Sequence, residues 1–304
     1  MKLWLLIPLL LCLHHFAIAE ESPLFSQASI NAREIIYPRP SRGEDLEKWY
    51  PLILLKSALD HSELRYWLRP TSFVMVQSRA IKELTHGDAI TVTWTMTDKT
   101  REDELLPVRI PIYKGLYGWR LLLTTQKKAE IYQTYSNVER FKKLIYLQGH
   151  DWPDSEILQD NDFNVTTAVS YEALFQMLLK GRGDVFPRSI IEVDWELSHR
   201  DDRNEFAVIN HTALYYPTAM YFFFNKQDHT LAKAVEKGLM AMHHNGEFER
   251  LFNRFFAKEI ARADLNNKQI IELTNQQLPK LTPLDNSLFW FRPDQTLQQT
   301  SNPL

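Results

Sequence analysis

The sequence predicts an α/β protein built in two domains, and three observations lead there. Short β-like runs alternate with helical runs as far as about residue 255, the pattern of mainly parallel sheets flanked by helices. The texture shifts near residue 110, where Ile110-Pro111-Ile112-Tyr113-Lys114-Gly115 precedes a β-rich run over 118–123. The length of 304 residues exceeds what one ordinary core organises.

The elements follow in order. Glu34-Ile35-Ile36-Tyr37 is a strand stopped by Pro38 and Pro40. Residues 46–59 form a helix with Tyr50, Ile53, Leu54 and Ala58 on one face. Residues 73–77 are apolar, 80–84 form a short helix closed at Gly87, and Ala89-Ile90-Thr91-Val92-Thr93-Trp94 is a strand. In the second unit, 141–147 carry a helix end and then a strand, a loop spans 148–153, and a helix begins at Asp154. Residues 164–169 are a strand and 171–179 a helix, with Ala173, Leu174, Met177 and Leu178 as its apolar face. Another strand covers 183–186. Tyr221-Phe222-Phe223-Phe224 is continuously apolar, which marks a strand buried on both faces. Two helices follow, one carrying Leu231, Val235, Leu239 and Met242, the next Phe248, Leu251, Phe252 and Phe255. A tail from about residue 263 ends in Leu288-Phe289-Trp290-Phe291, an aromatic cluster expected to clip it onto the body.

The N-terminus predicts export. Lys2 precedes an apolar run, and Ala17-Ile18-Ala19 supplies small residues at a cleavage site, so residues 1–19 read as a signal peptide. The apolar run is shorter than the roughly 20 residues of a spanning helix. Removal of residues 1–19 leaves 285 residues with 34 basic and 38 acidic side chains, a formal charge of −4. That balance argues against nucleic acid, which favours basic stripes. Cys12 is the only cysteine, so the exported chain has neither a disulfide nor a thiol nucleophile, and a bacterial periplasm is expected. His243 and His244 are neighbours on a helix, pointing about 100° apart, and cannot chelate as an i, i+4 pair would. No metal and no cofactor is expected.

Four stretches in this order resemble the type II periplasmic solute-binding proteins, in particular the amino-acid-binding group related to glutamine-binding protein. They are residues 88–97 followed by Arg101; Pro111-Ile112-Tyr113-Lys114-Gly115; Ala168-Val169-Ser170-Tyr171-Glu172-Ala173-Leu174 with Gly181-Arg182-Gly183-Asp184-Val185-Phe186; and Asn245-Gly246-Glu247-Phe248 with Leu251-Phe252. The resemblance covers about residues 33–256. It implies two α/β lobes, each a mainly parallel sheet flanked by helices, joined by two crossing segments near 113–120 and 212–221. Lobe one would comprise 20–112 with 222–262, lobe two 113–221, and an extension packed on the body 263–304. The ligand would sit in the cleft between lobes that close like a hinge.

The resemblance also implies site residues. Arg101 would clamp a ligand carboxylate through its planar fork, with Trp94, Thr95 and Thr97 completing the grip. The other reading of Arg101 is a surface arginine among Asp98, Lys99, Glu102, Asp103 and Glu104. In the second lobe the loop His150-Asp151-Trp152 precedes a helix N-terminus, which presents free N–H groups to an anion; Trp152 would stack and His150 donate a hydrogen bond. Where amino-acid-binding relatives carry an acid, this sequence has Arg188 in Phe186-Pro187-Arg188-Ser189. Two arginines in the pocket point to an anionic or carboxylate-bearing ligand, unless Glu192 or Asp194 restores the acid.

The expected function is capture of that small molecule for an inner-membrane ABC permease, by a monomer without enzymatic activity. Two alternatives remain open at this point: an accessory sensor that signals to a membrane receptor, and a dehydratase-like enzyme on the same fold. The sequence holds no G-x-S-x-G elbow, H-E-x-x-H pair or P-loop.

Overall fold

The computed structural model describes residues 32–39, 48–87 and 89–293. The signal-peptide reading and the first two residues of the helix read over 46–59 lie outside the described residues.

The first lobe opens with β1 (Arg33–Arg39), α1 (Tyr50–Asp60) and β2 (Tyr66–Val74). β1 and β2 pair in parallel, with Tyr37 opposite Pro70. Sequence reading missed β2 because Pro70 breaks its pattern; β2 has one partner strand among the described residues, and proline is tolerated on such an edge. Next come α2 (Gln77–His86), ended by Gly87 in the left-handed region, β3 (Thr93–Met96), α3 (Lys99–Glu104) and β4 (Leu105–Val108). The strand expected over 89–94 thus begins later. Thr91 explains the shift: its N–H donates to Ile36 O at 2.9 Å, and its hydroxyl accepts from Ile36 N at 2.9 Å. A side chain here takes the place of a ladder bond.

The second lobe comprises β5 (Trp119–Thr125), α4 (Gln126–Tyr132), α5 (Val138–Lys142), β6 (Ile145–Gly149), α6 (Pro153–Asp160), β7 (Asn164–Ala168), α7 (Tyr171–Leu179), β8 (Phe186–Ser189), α8 (Val193–Ser198) and β9 (Phe206–Tyr215). The chain then returns through β10 (Met220–Asn225), α9 (His229–His244) and α10 (Glu247–Ala263). β10 lies between β3 and β4, antiparallel to both. Its Phe222, Phe223 and Phe224 are fully buried, each stabilising by about 1.5–3 kcal/mol. The sheets are mixed rather than mainly parallel: β6 runs parallel to β7, whereas β5 is antiparallel to β8 and β9. The strands nearest the crossings carry the antiparallel pairs.

The two crossing segments abut. Tyr216 N–H donates to Gly118 O at 3.2 Å, and a Cβ on Gly118 would lie 2.1 Å from Tyr216 O. Only glycine permits that approach.

The extension passes both lobes again. β11 (Gln269–Glu272) pairs in parallel with β9 in the second lobe. Beyond it Asn275 Nδ2 donates to Pro217 O at 2.9 Å, and Lys99 N–H of the first lobe donates to Gln277 O at 3.2 Å. Phe291 N–H donates to Lys114 O at 2.8 Å. The Trp290 ring covers Gly115, whose φ of +75° suits glycine; a Cβ there would lie 2.5 Å from the ring. The aromatic cluster therefore clips the tail to the first crossing.

Candidate ligand-binding cleft

A cleft of about 1080 Å³ opens between the lobes, a size suited to a small molecule. Trp49, Trp94 and Met75 line it from the first lobe, Tyr113 and Tyr117 from the first crossing, and Asp151, Trp152, Tyr171 and the 192–202 segment from the second lobe. β3 holds Trp94 at the cleft: its ring meets Trp49 edge-on at 4.8 Å and Phe222 at 6.1 Å. Trp152 is fixed from behind by a stacked contact with Phe186 at 6.3 Å and by Arg188 at 5.0 Å from its ring. Gly149 brings the backbone against the same ring, since a Cβ there would lie 2.5 Å away.

Buried ion pairs stand behind these walls. Arg188 donates to both carboxylate oxygens of Glu196, at 2.8 and 2.6 Å, and lies 2.9 Å from Glu192. Burial alone would lower its pKa, but Glu192 and Glu196 outweigh it and hold the group well above its ordinary value. Arg120 donates to Tyr216 Oη at 2.8 Å and pairs with Asp154, which also accepts from the Tyr216 hydroxyl. Desolvation raises the Tyr216 pKa well above its ordinary value. At the second lobe's rim, Arg200 is held by Asp202 at 2.8 and 3.0 Å and by Glu172 at 2.7 Å.

Of the residues expected from sequence, Trp94, Asp151 and Trp152 meet at the cleft. Arg101, Thr95, Thr97 and His150 do not line it. Arg101 is buried, donating through Nη1 to Thr95 Oγ1 at 3.1 Å and Met96 O at 2.6 Å; Nε lies 3.1 Å from Asp98. Its Nη2 reaches Asp151 O at 3.3 Å. It is therefore not a surface arginine, and in this structure its fork is engaged by protein groups. Burial lowers its pKa, with Asp98 and Asp151 opposing. Thr95 is engaged by Arg101, and the Thr97 hydroxyl donates to Glu102 Oε1 at 2.7 Å. His150 is half-exposed, 3.8 Å from Asp151 Oδ1.

Arg188 borders a smaller adjoining pocket of about 150 Å³, but Glu196 and Glu192 neutralise it. The first turn of the helix at Pro153 carries the buried carboxylate of Asp154, which pairs with Arg120 and accepts from Tyr216. The expected anionic pocket therefore has no unengaged arginine fork among these residues. Glu192 does line the cleft, whereas Asp194 pairs with Arg262 at 2.9 Å. Sequence reading named Glu192 and Asp194 in the segment after β8 but passed over its other cleft residues, Trp195 and Glu196 with His199-Arg200-Asp201-Asp202. Its acids and its Trp195–His199 stack at 4.3 Å form one wall.

No protein-family model and no curated protein sequence matches the chain. Solved structures do match. A probable amino-acid ABC transporter extracellular-binding protein of Bacillus subtilis aligns at TM-score 0.56 and 16% identity, covering 75% of this chain and 99% of that chain. An arginine-specific periplasmic binding protein of Salmonella typhimurium aligns at 0.55 and 15%, covering 74% and 100%. A histidine kinase sensor domain aligns at 0.55 and 12%, covering 74% and 97%. The chain has the two-lobed type II periplasmic binding protein fold.

Proposed function

We propose that this protein is an exported solute-binding protein that captures a small molecule between its lobes and releases it unchanged to a partner in the inner membrane. The observation that carries this reading is the cleft itself, walled by side chains from both lobes and floored at the first crossing by Tyr113 and Tyr117. A ligand touching both walls favours the closed arrangement of a hinged pair, so binding and shape change are coupled. Among fold neighbours, one is a transporter binding protein and one a kinase sensor domain; the permease is our first choice of partner and a receptor the second.

The experiment is mass spectrometry of small molecules released by denaturing the purified protein, followed by incubation of each with fresh protein. An intact compound that rebinds and raises the melting temperature supports the reading. A compound returned chemically altered replaces it with the enzymatic alternative.

A further inference from the structure

The cleft differs in charge from one built to grip an α-amino acid, and its lining indicates another class of ligand. Six carboxylates line it among the described residues (Asp151, Glu172, Glu192, Glu196, Asp201 and Asp202), with Arg200 the only lysine or arginine. When the pairs behind the walls are included, the guanidinium groups of Arg101, Arg120, Arg188 and Arg200 stand against eight carboxylates, the two further acids being Asp98 and Asp154. Low-dielectric walls focus that excess into the cleft, so its field attracts cations.

Two further features narrow the class. No lysine or arginine pairs with the Asp151 carboxylate among the described residues: the half-exposed His150 ring lies 3.8 Å from it, Arg101 reaches its backbone oxygen instead, and Asp151 lines the same space as Trp94 and Trp152. A carboxylate beside indole rings suits a cation whose charge is spread over carbon-bearing groups, because ring faces attract such cations once water is excluded. A ligand carboxylate, by contrast, finds no unengaged guanidinium at these walls. Arg101 is committed to Thr95, Met96, Asp98 and Asp151, Arg188 to Glu196 and Glu192, and Arg200 to Asp202 and Glu172. An unpaired carboxylate among the lining acids would be desolvated and repelled.

We propose that the cleft binds a small organic cation lacking a carboxylate, with its charge on Asp151 and its body against Trp94 and Trp152. This assignment rests on the solute-binding reading above and specifies its ligand.

The test is calorimetric titration of the purified protein, stripped of retained ligand, with probes matched in pairs. Choline is compared with glycine betaine and agmatine with L-arginine, the second of each pair adding a carboxylate; succinate and glucose complete the set. The expected result is binding of choline or agmatine, weakened by added salt, with little heat from their carboxylate-bearing partners. Asp151→Asn should weaken binding about tenfold through loss of one charge-assisted contact, and Asp201→Asn, at the rim, should do so less. Unchanged near-ultraviolet circular dichroism separates these losses from misfolding. Binding of succinate, glucose or L-arginine without either carboxylate-free cation overturns the cation assignment and leaves the solute-binding reading standing. No heat from any probe, with no small molecule released on denaturation, overturns both.

Discussion

Arg101 of the first lobe reaches the backbone carbonyl of Asp151 in the second at 3.3 Å. The same guanidinium holds Thr95, Met96 and Asp98 of its own lobe, so in this structure it bridges the two lobes with its fork engaged by protein groups. Arg101→Ala should therefore destabilise the protein by about 2–4 kcal/mol in urea unfolding, because buried acceptors and Asp98 lose their partner. The rise in melting temperature with bound ligand should persist in this variant. A folded Arg101→Ala protein that no longer responds to ligand would return Arg101 to a direct binding role.

Arg188 and Glu196 form a bidentate pair with almost no exposure, 3% and 0% for the two side chains. Removing one partner leaves a buried charge, so Arg188→Met should cost about 3–5 kcal/mol. Arg188→Met combined with Glu196→Gln should recover part of that loss, since the buried Glu196 charge goes with its partner while Glu192 keeps Arg120 at 3.5 Å. A double-mutant cycle by denaturant unfolding measures this; additive losses would contradict the pairing.

Trp290 is buried over Gly115. Trp290→Ala should lower stability by about 3–5 kcal/mol, as for other large buried aromatics. The extension touches both lobes and both crossings, so the same variant should widen the range of interlobe separations seen by single-molecule energy transfer. An unchanged distribution would leave the extension with a role in stability only.

Stability should fall as pH drops from about 6.5 to about 4 because of His243. Burial is the main cause that lowers its pKa to about 4 from an ordinary 6.5; Lys114 and His244 add to this and Glu249 opposes it. The ring stacks on Phe248 at 4.0 Å and lies 5.2 Å from Phe289 of the extension. A depressed pKa means the unfolded chain binds the proton first, so stability present above pH 6.5 is lost progressively and levels off below pH 4. His243→Gln should remove this component from the pH profile of urea unfolding. Identical acid limbs in the two proteins would assign it elsewhere.

Local periodicity made part of this fold legible. The helix at Tyr171–Leu179 lies where its apolar face predicts, and the continuous apolar run of β10 marks a strand with neighbours on both sides. β2 was hidden by Pro70, and β9 and β11 by polar residues such as Asn210, His211, Gln269 and Glu272 that pairing tolerates at these positions. The site was less legible, because its chemistry is set by which acids the fold turns onto each arginine: some are near in sequence, as Asp98 is to Arg101 and Glu192 and Glu196 are to Arg188, and others are far. Arg120 and Asp154 are 34 residues apart, and Arg101 meets Asp151 across 50. An arginine read alone is a ready anion clamp; beside carboxylates brought in by the fold it has already been neutralised.

The most direct test is a crystal structure of the protein with whichever compound gives the largest rise in melting temperature. The account expects density for one intact small molecule between Trp94 and Trp152, with Asp151 at hydrogen-bond distance from its cationic end. Density at another surface, or a cleft holding only water at saturating compound, would contradict the claim that this cleft is the binding site.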